Sequence, residues 1–438
     1  MANYENILIE KAEQFSGSLN GSGLSETSSV RSKGIQQLKQ DGFPKKKNEE
    51  YKFTHFSGIL EKKFSDAEIK LDSTVSAEDV NKMFQFPENV HQIVVVNGLL
   101  RPDLSNLSSI SEGLNICDFK SFASSHPGKL EKFIGQHADA SKDAFTAWNS
   151  AYTNNGLVLE VGKNVVVDRP IFILYITDTR GEQNVVTFPR LLVMAASNSQ
   201  VEFNSFYRTI GDNDGMINEV REVILNENAH VKMNRVQDDE RAYSIGETKV
   251  YQPSNSTFTS NVITVSGSII RNNLNIDVDG QGAEANMYGL YLTKGTTHVD
   301  NHTTVDHIQP NSVSNELYKG IMDGKSKGVF NGKIYVRSEA QKTNAFQSNN
   351  NILLSDQATI NTKPQLEIWA DDVKCSHGCT TGQMDEEAIF YLRTRGIQES
   401  DARALILKAF ASDIVEKIDN EWLREYLDQI IIERLTIK

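Results

Sequence analysis

Six short stretches of the 438-residue sequence decide the fold: AASNSQVEF (195–203), NENAHVKM (226–233), PSNSTFTS (253–260), GQGAEANM (280–287), GKSKGVFNG (324–332) and SDQATINT (355–362). Each places small or polar turn residues before an alternating segment, the pattern of a turn that leads into a β-strand. Taken as equivalent positions, Val201, Val231, Phe258, Ala285, Val329 and Ile360 are separated by 30, 27, 27, 44 and 31 residues. This spacing indicates one coil per repeat, with an insertion in the fourth interval.

The repeat predicts a parallel β-helix within a β-rich core at residues 90–382. One unit is too small to bury its own apolar face, and stacking lets every strand pair with the strands of the coils above and below it. Spacing alone leaves one alternative open, a β-sandwich whose hairpins have similar lengths.

Helical regions are expected on both sides of this core. Residues 1–89 form the expected N-terminal helical region, interrupted by the Gly- and Ser-rich stretch SGSLNGSGLSETSS (16–29). Residues 383–438 form the expected C-terminal helical module. Its three helices have Asp385, Ser400 and Asn420 as expected N-caps, and Gly396 fits the end of the first helix.

Helical spacing also predicts which faces of the last two helices are buried. The expected buried residues are Ala402, Leu405, Ala409 and Ile414 in the second helix and Leu423, Leu427, Ile430 and Ile431 in the third. A module of this size buries little by itself, so we expect it to pack on the β-core or on another protein.

Composition restricts the classes of function. The net charge of −13 disfavours binding to nucleic acid phosphates. The N-terminal sequence MANYENILIEKAEQF has no apolar run of signal-peptide length, no stretch is long enough for a membrane span, and three cysteines form no disulfide framework. The expected location is the cytoplasm, with no membrane partner. The ATP-binding motif G-x-x-x-x-G-K-[ST] is absent from the sequence.

The stretch DDVKCSHGC (371–379) is the strongest candidate for a chemical site. On a β-strand, Cys375, His377 and Cys379 would share one face, with neighbours about 6.5 to 7 Å apart. Two ligands of one metal ion must bring their donor atoms within about 4 Å of each other, so three ligands from this strand alone are improbable. The alternatives are a partly buried cysteine pair without chemistry, or a site that another coil or another chain completes.

A second constellation is THVDNHTTVDH (297–307), in which His298, Asp300 and His302 alternate onto one strand face. Such a row is either a metal or acid–base site or, more commonly, a hydrogen-bonded polar ladder. We favour the ladder. A free-standing metalloprotein that uses His298, His302 and His377 is one alternative function.

Residues 318–397 closely resemble the SufB/SufD family of iron-sulfur cluster assembly proteins. The motifs AQKT (340–343), KPQLEI (363–368) and ADDVKCSHG (370–378) occur in order, GFPKKKNEEYKF (42–53) resembles the family's N-terminal motif, and HTTVDH (302–307) resembles its mid-domain signature. The sequence KCSHG is most similar to SufD, because SufB typically has Glu-His-Glu-Ala at this place. Cys379 departs from the family pattern, in which SufD usually has alanine.

The resemblance implies a right-handed parallel β-helix core with helical N-terminal and C-terminal parts. It implies a non-catalytic scaffold subunit that pairs with SufB and holds the ATPase SufC. Whether the chain forms a homodimer in isolation is left open. No cofactor is expected to bind tightly to the chain alone, and ATP acts only through SufC. A transient iron-sulfur cluster would be built at the SufB–SufD interface, with His377 as a candidate metal ligand and Cys375 beside it.

The resemblance also gives the C-terminal helices a partner. The residues expected to contact the ATPase are Glu387, Phe390, Tyr391, Arg395, Gly396 and Phe410. The alternative function from a different class is a secreted-type β-helix enzyme that acts on polysaccharides, which would need convergent carboxylates in a groove.

Overall fold

A parallel β-solenoid forms the centre of the protein in a computed structural model, which describes residues 4–19, 23–45, 47–107 and 110–435. The solenoid consists of two ten-stranded sheets. The chain alternates between them, so each coil adds one strand to each sheet, and the two sheets enclose a common interior. The predicted mainly β fold with a parallel solenoid core and terminal helices is confirmed.

The strands are β1 His91–Val96, β2 Leu99–Leu100, β3 Leu114–Asp118, β4 Leu157–Val161, β5 Ile171–Asp178, β6 Val185–Thr187, β7 Arg190–Ala195, β8 Gln200–Ile210, β9 Gly215–Leu225, β10 His230–Gln237, β11 Ala242–Gln252, β12 Thr257–Thr264, β13 Ile269–Val278, β14 Glu284–Thr293, β15 His298–His307, β16 Val313–Met322, β17 Lys327–Val336, β18 Asn344–Leu353, β19 Thr359–Ile368 and β20 Lys374–Gly382. Sheet 1 has the order β2-β1-β5-β8-β10-β12-β14-β16-β18-β20. Sheet 2 has the order β19-β17-β15-β13-β11-β9-β7-β4-β3, with β6 paired to β9. Only the β1–β2 and β3–β4 pairs are antiparallel among these strands.

The helices are α1 Tyr4–Ser18, α2 Ser28–Asp41, α3 Phe56–Ile59, α4 Ala77–Met83, α5 Phe119–Ser125, α6 Ala144–Ala151, α7 Glu386–Thr394, α8 Glu399–Val415 and α9 Glu421–Leu435. Short 3-10 turns occupy Ser25–Thr27, Glu49–Tyr51 and Leu130–Lys132, and a π-helical turn at Leu60–Phe64 extends α3. Helices α5 and α6 lie inside the segment that the sequence suggested was β-rich.

The repeat inferred from the sequence is correct for its first four positions and wrong after them. The register ladder of sheet 1 runs through Val201, Val231, Phe258, Ala285, Ser314, Ala345 and Cys375. Val329 and Ile360 lie in sheet 2, where Val329 pairs with Asn361 and Ile360 with Gly328. The 44-residue interval is therefore a step from one sheet to the other, and the predicted insertion does not exist.

A left-handed residue in each of six successive coils, from the coil of β8 to that of β18, explains the turn signal of the repeat. It lies two positions before the strand of sheet 1, with φ between 57° and 69°, at Asn198, Asn228, Asn255, Gly282, Asn311 and Lys342. Glycine and asparagine adopt this conformation at the lowest cost, which accounts for their recurrence in the repeat. The Nδ2 of Asn228 donates to Oδ1 of Asn198 over 2.9 Å, so neighbouring turns stack on one another.

Terminal helices cover the outer faces of both sheets. At the N-terminus, Phe43, Phe56 and Phe64 form a buried cluster with Met216 and Ile245 of sheet 2. At the C-terminus, buried residues of α8 and α9 pack with apolar residues on the outer face of sheet 1, including Phe172, Phe206 and Leu290. Of the two expected packing partners of the C-terminal module, the β-core or another protein, the structure shows the β-core. Within the described residues, no helix combines the length and apolar character that crossing a bilayer requires.

Two of the three predicted C-terminal helix caps are confirmed. Asp385 accepts hydrogen bonds from the backbone N–H groups of Glu387 and Ala388, and Asn420 accepts one from Leu423. Gly396 follows the end of α7 with φ of 87°, as predicted. Ser400 is wrong as a cap, because α8 begins at Glu399 and the cap position, two residues before Ser400, is occupied by Gln398 without a side-chain bond.

The predicted buried face of α8 is partly wrong. Ala402 and Ile414 are buried as expected, but Leu405 and Ala409 are exposed, and Leu407 is buried in place of Leu405. The run of apolar residues at 404–407 lies on all sides of the helix, so helical spacing did not select one face. In α9, Leu423, Leu427 and Ile431 are buried and Ile430 is half-buried.

A pair of leucines on α8 tests this packing. Leu407 is 1% exposed and Leu405 is 49% exposed. We expect Leu407→Ala to lower the free energy of unfolding by about 2 to 5 kcal/mol, because it leaves a cavity against sheet 1. The matched change Leu405→Ala should cost about 0.5 kcal/mol or less. Urea unfolding of both variants measures the difference, and equal losses would contradict the assigned face.

Candidate functional site

The Cys375, His377 and Cys379 side chains lie on β20, the last strand of sheet 1. Within the described residues β20 pairs only with β18, so its other edge is free of strand partners. Strand β19 ends sheet 2 at the same end of the solenoid. We call this end, formed by β19 and β20, the open end.

Register shows where the three side chains point. Cys375, His377 and Cys379 pair with Ala345, Gln347 and Asn349 of β18, which are all buried in the solenoid interior. The hydroxyl of Thr362, on β19, lies 3.0 Å from Sγ of Cys379 across this interior. The three side chains therefore share one face, as predicted, and they continue the inward-facing columns of the solenoid at a coil that no further coil of the described chain covers.

The environments of the three residues differ. His377 and Cys379 are exposed, and Cys375 is half-buried beside Leu366 and Ile334. Burial raises the pKa of the Cys375 thiol, so the neutral thiol is favoured. No group of three or more His, Cys, Asp and Glu side chains in the described parts of the chain is arranged to hold a metal ion.

A polar column lies directly below His377, inside the solenoid. Gln347 is 1% exposed and donates from Nε2 to Oε2 of Glu316 over 2.7 Å. The second carboxylate oxygen of Glu316 accepts a hydrogen bond from the Thr303 hydroxyl. Sequence reasoning missed this column. Its signal is polar residues at inward positions of strands β16 and β18, where the alternation calls for apolar ones.

The pKa of Glu316 is displaced by its surroundings. Burial raises it from 4.5 to about 7, against the opposing effect of the hydrogen bonds from Thr303 and Gln347. The folded protein therefore keeps a proton that the unfolded chain releases above pH 4.5. As a result, the contribution of Glu316 to stability is fully present below about pH 4.5 and is lost as the pH rises to about 7.

This displacement predicts a pH-dependent effect of Glu316→Gln. The variant cannot ionise, so its free energy of unfolding relative to the parent should rise between pH 4.5 and 7, by up to about 3 kcal/mol. Urea unfolding at pH 5 and pH 8 measures this difference. A difference that does not change between the two pH values would show that Glu316 is not buried in this way.

The row of His298, Asp300 and His302 is a hydrogen-bonded ladder, as we favoured. Asp300 is buried and accepts hydrogen bonds from Thr54 over 2.6 Å and from Arg271 over 3.0 Å, and His302 Nε2 lies 2.9 Å from its other oxygen. The Thr54 hydroxyl also contacts Nε2 of His298 at 2.8 Å. The ladder fastens the N-terminal region to the outer face of sheet 2.

A metal site that combines His298, His302 and His377 is not formed. The first two histidines lie on β15 in sheet 2 and point outward, since they bond the N-terminal region, whereas His377 continues an inward column of sheet 1. The sequence could not show that the histidines of β15 face outward and His377 faces inward. Alternation separates the two faces of a strand, but it does not show which face points into the solenoid.

The residues expected to contact an ATPase lie on α7, after α7 and on α8. Phe390 and Tyr391 are 66% and 58% exposed, and Glu387, Arg395 and Gly396 are also exposed. Phe410 is half-buried, with the ammonium group of Lys319 4.3 Å from its ring centre. The first five residues thus form an exposed surface, whereas Phe410 faces the solenoid.

Fold and site together define a β-solenoid protein with helical ends and a Cys-x-His-x-Cys strand at its open end. Comparison with protein families matches residues 176–410 to the SUF system FeS cluster assembly, SufBD core domain, and residues 3–173 to the SufBD protein N-terminal region. The chain belongs to the SufBD family, so the resemblance seen in its motifs is confirmed.

Relatives with curated descriptions cover most of the chain. An iron-sulfur cluster assembly SufBD family protein of Synechocystis is 32% identical over 400 residues, which cover 89% of this chain and 86% of the relative. The iron-sulfur cluster assembly protein SufD of Escherichia coli is 27% identical over 92% of this chain and 91% of its own length. SufD of Bacillus subtilis is 25% identical over 73% of this chain and 74% of its own length. The chain is a component of iron-sulfur cluster assembly that is similar to SufD.

Proposed function

We propose that the chain is the SufD-like scaffold subunit of an assembly complex and pairs with a SufB-type chain through its open end. The observation that carries this proposal is the position of His377, exposed on the terminal strand of a solenoid whose final coil is uncovered. Unpaired strand edges offer rows of N–H and C=O groups that another chain can extend by strand addition.

Apolar side chains near the open end support an interface there. Phe346, Ile368 and Trp369 are 45%, 39% and 50% exposed. Aromatic residues in such positions are typical of the contacts that dominate binding energy in protein interfaces. A partner strand laid on β19 would cover Ile368 and Trp369 together with the unpaired backbone, whereas Phe346 lies on the outer face of β18, beside Ser376 of the terminal strand.

The nascent cluster is cargo that two chains hold between them. Adjacent side chains on one face of β20 are about 6.5 to 7 Å apart, farther than two donor atoms on one iron, so His377 would supply one bond and the partner the others. A neutral imidazole binds iron, and Cys375 beside it would supply a thiolate only after losing a proton that burial favours. No cofactor needs to bind tightly to the isolated chain.

The exposed surface of α7 is the proposed docking site for the ATPase SufC. Helices α7, α8 and α9 pack on sheet 1, so a force applied to them by ATP-driven movement of SufC would reach the solenoid. In this account the chain itself is not an enzyme, ATP acts only through SufC, and the complex works in the cytoplasm without nucleic acid or membrane.

Anaerobic purification of the tagged chain from its own cells tests the proposal. We expect SufB-type and SufC-type chains to copurify with it. Recovery of the chain alone or only as a homodimer, from cells in which both other proteins are present, would contradict the proposed assembly.

A further inference from the structure

The amide of Gln347 has one half of its hydrogen-bonding capacity unused. Its Nε2 donates to Glu316, while its Oε1 is buried and has no hydrogen-bond partner among the residues that the structure describes. A buried carbonyl oxygen without a partner has lost its hydrogen bonds to water without compensation, so a donor that reached it would be strongly favoured. An unpaired acceptor one coil below the open end is therefore a feature to be explained.

The amide is held in place from two sides. A Cβ at Gly332 of sheet 2 would lie only 2.3 Å from Nε2 of Gln347, so the missing side chain there makes the space that the amide occupies. The carboxyl group of Glu316 bonds Nε2, so Nε2 is the end of the amide that points toward Glu316. A hydrogen-bond donor for Oε1 must therefore come from a residue other than Glu316.

The last coil contributes few donors near this oxygen. Its inward positions around Gln347 are Cys375, His377 and Cys379 on β20 and Thr362 and Pro364 on β19. Thr362 and Cys379 contact each other, and proline carries no N–H. His377, the direct register partner of Gln347, brings a ring N–H.

We propose that Gln347 is a positioning residue for His377: when a partner chain closes the open end, one ring N–H of His377 donates to Oε1 of Gln347. This rests on the proposed function, in which His377 serves the nascent cluster. The bond fixes one neutral tautomer and directs the other ring nitrogen, with its lone pair, away from the solenoid interior and toward the partner. Ligating histidines generally have such an outer partner on the second nitrogen, and its loss costs about 10- to 100-fold in metal affinity or activity.

Glu316 acts one step further away in this arrangement. Ionised Glu316, the form that prevails above about pH 7, can only accept a hydrogen bond, so it holds Nε2 of Gln347 and prevents the amide from turning over and presenting a donor to the imidazole. The column Glu316, Gln347, His377 therefore has one direction of hydrogen bonding, set at its buried end.

Substitutions in the assembled complex test the proposal. Gln347→Leu keeps the size of the side chain and removes the acceptor, and we expect cluster assembly from ferrous iron and sulfide to slow by about 10-fold or more. The exchange Gln347→Glu with Glu316→Gln keeps an acid–amide pair and restores an acceptor below His377, so it should recover most of the rate. Asn261→Leu is the matched control. Asn261 is a buried amide in β12, three coils away, and its Oδ1 likewise has no partner within the described part of the chain. Its rate should stay within about twofold of the parent.

A second readout is independent of the rate of cluster assembly, and its first arm needs no variant. Nitrogen-15 spectra of labelled histidine in the sedimented complex without iron should show His377 as a single neutral tautomer, and as exchanging tautomers in Gln347→Leu. Exchanging tautomers in the unaltered complex would overturn the proposal, and so would a normal assembly rate in Gln347→Leu. If His377→Ala were also fully active, the proposed function itself would fail, so the two failures are distinguishable.

Discussion

His377→Ala is expected to abolish cluster assembly while the chain remains folded and bound to its partners. His377 is exposed on β20, and a surface change of this kind alters stability by about 0.5 kcal/mol or less. Loss of a direct donor to the cluster should exceed the about 10- to 100-fold effect typical of outer partners. Anaerobic assembly from ferrous iron and sulfide, followed by absorbance, measures the rate in the purified complex.

The control for this prediction is Ser376, the residue before His377 on the same strand. Ser376 is exposed, but it pairs with Phe346, whose side chain points to the outer face. Ser376→Ala should therefore leave assembly unchanged. Full activity of His377→Ala, or equal losses in both variants, would remove His377 from the site.

The second large effect is expected at α7. Phe390→Ala combined with Tyr391→Ala should weaken binding of the SufC-type ATPase by about 30-fold or more, because truncating even one hot-spot aromatic costs at least about 2 kcal/mol. Both side chains are mostly exposed, so the folded chain should tolerate the change. Deleting the C-terminal helices would be a poorer test, since they cover apolar residues of sheet 1. Calorimetric titration with the purified ATPase measures the dissociation constant.

A distant exposed leucine provides the comparison. Leu71, in the N-terminal region, is 47% exposed, and Leu71→Ala should not alter ATPase binding. Unchanged affinity in the Phe390 and Tyr391 variant would mean that SufC docks elsewhere on the chain.

Much of the fold was predictable because local chemistry recurs in every coil. The left-handed asparagines and glycine before the strands of sheet 1 gave a signal at each turn, and alternation showed that Cys375, His377 and Cys379 share a face. The caps Asp385 and Asn420 were visible for the same reason, since a cap depends on a few neighbouring residues.

The errors concern relations between distant parts of the chain. The false insertion arose because the strands of sheets 1 and 2 look alike in sequence. Val329, which lies in sheet 2, was therefore taken as equivalent to Ala285, which lies in sheet 1. Leu405 was placed in the core because α8 is apolar on several sides. The column of Glu316 and Gln347 was missed because only stacking brings residues about thirty positions apart into contact.

Hydrogen exchange of the β20 amides tests the central claim, that the open end is completed by another chain. With the SufB-type partner added, we expect the amides of residues 374–382 to exchange much more slowly than in the isolated chain. Amides of β2, at the opposite end of sheet 1, should be unaffected. Unchanged exchange in β20 within a complex that has formed would show that the partner binds elsewhere and would contradict the account.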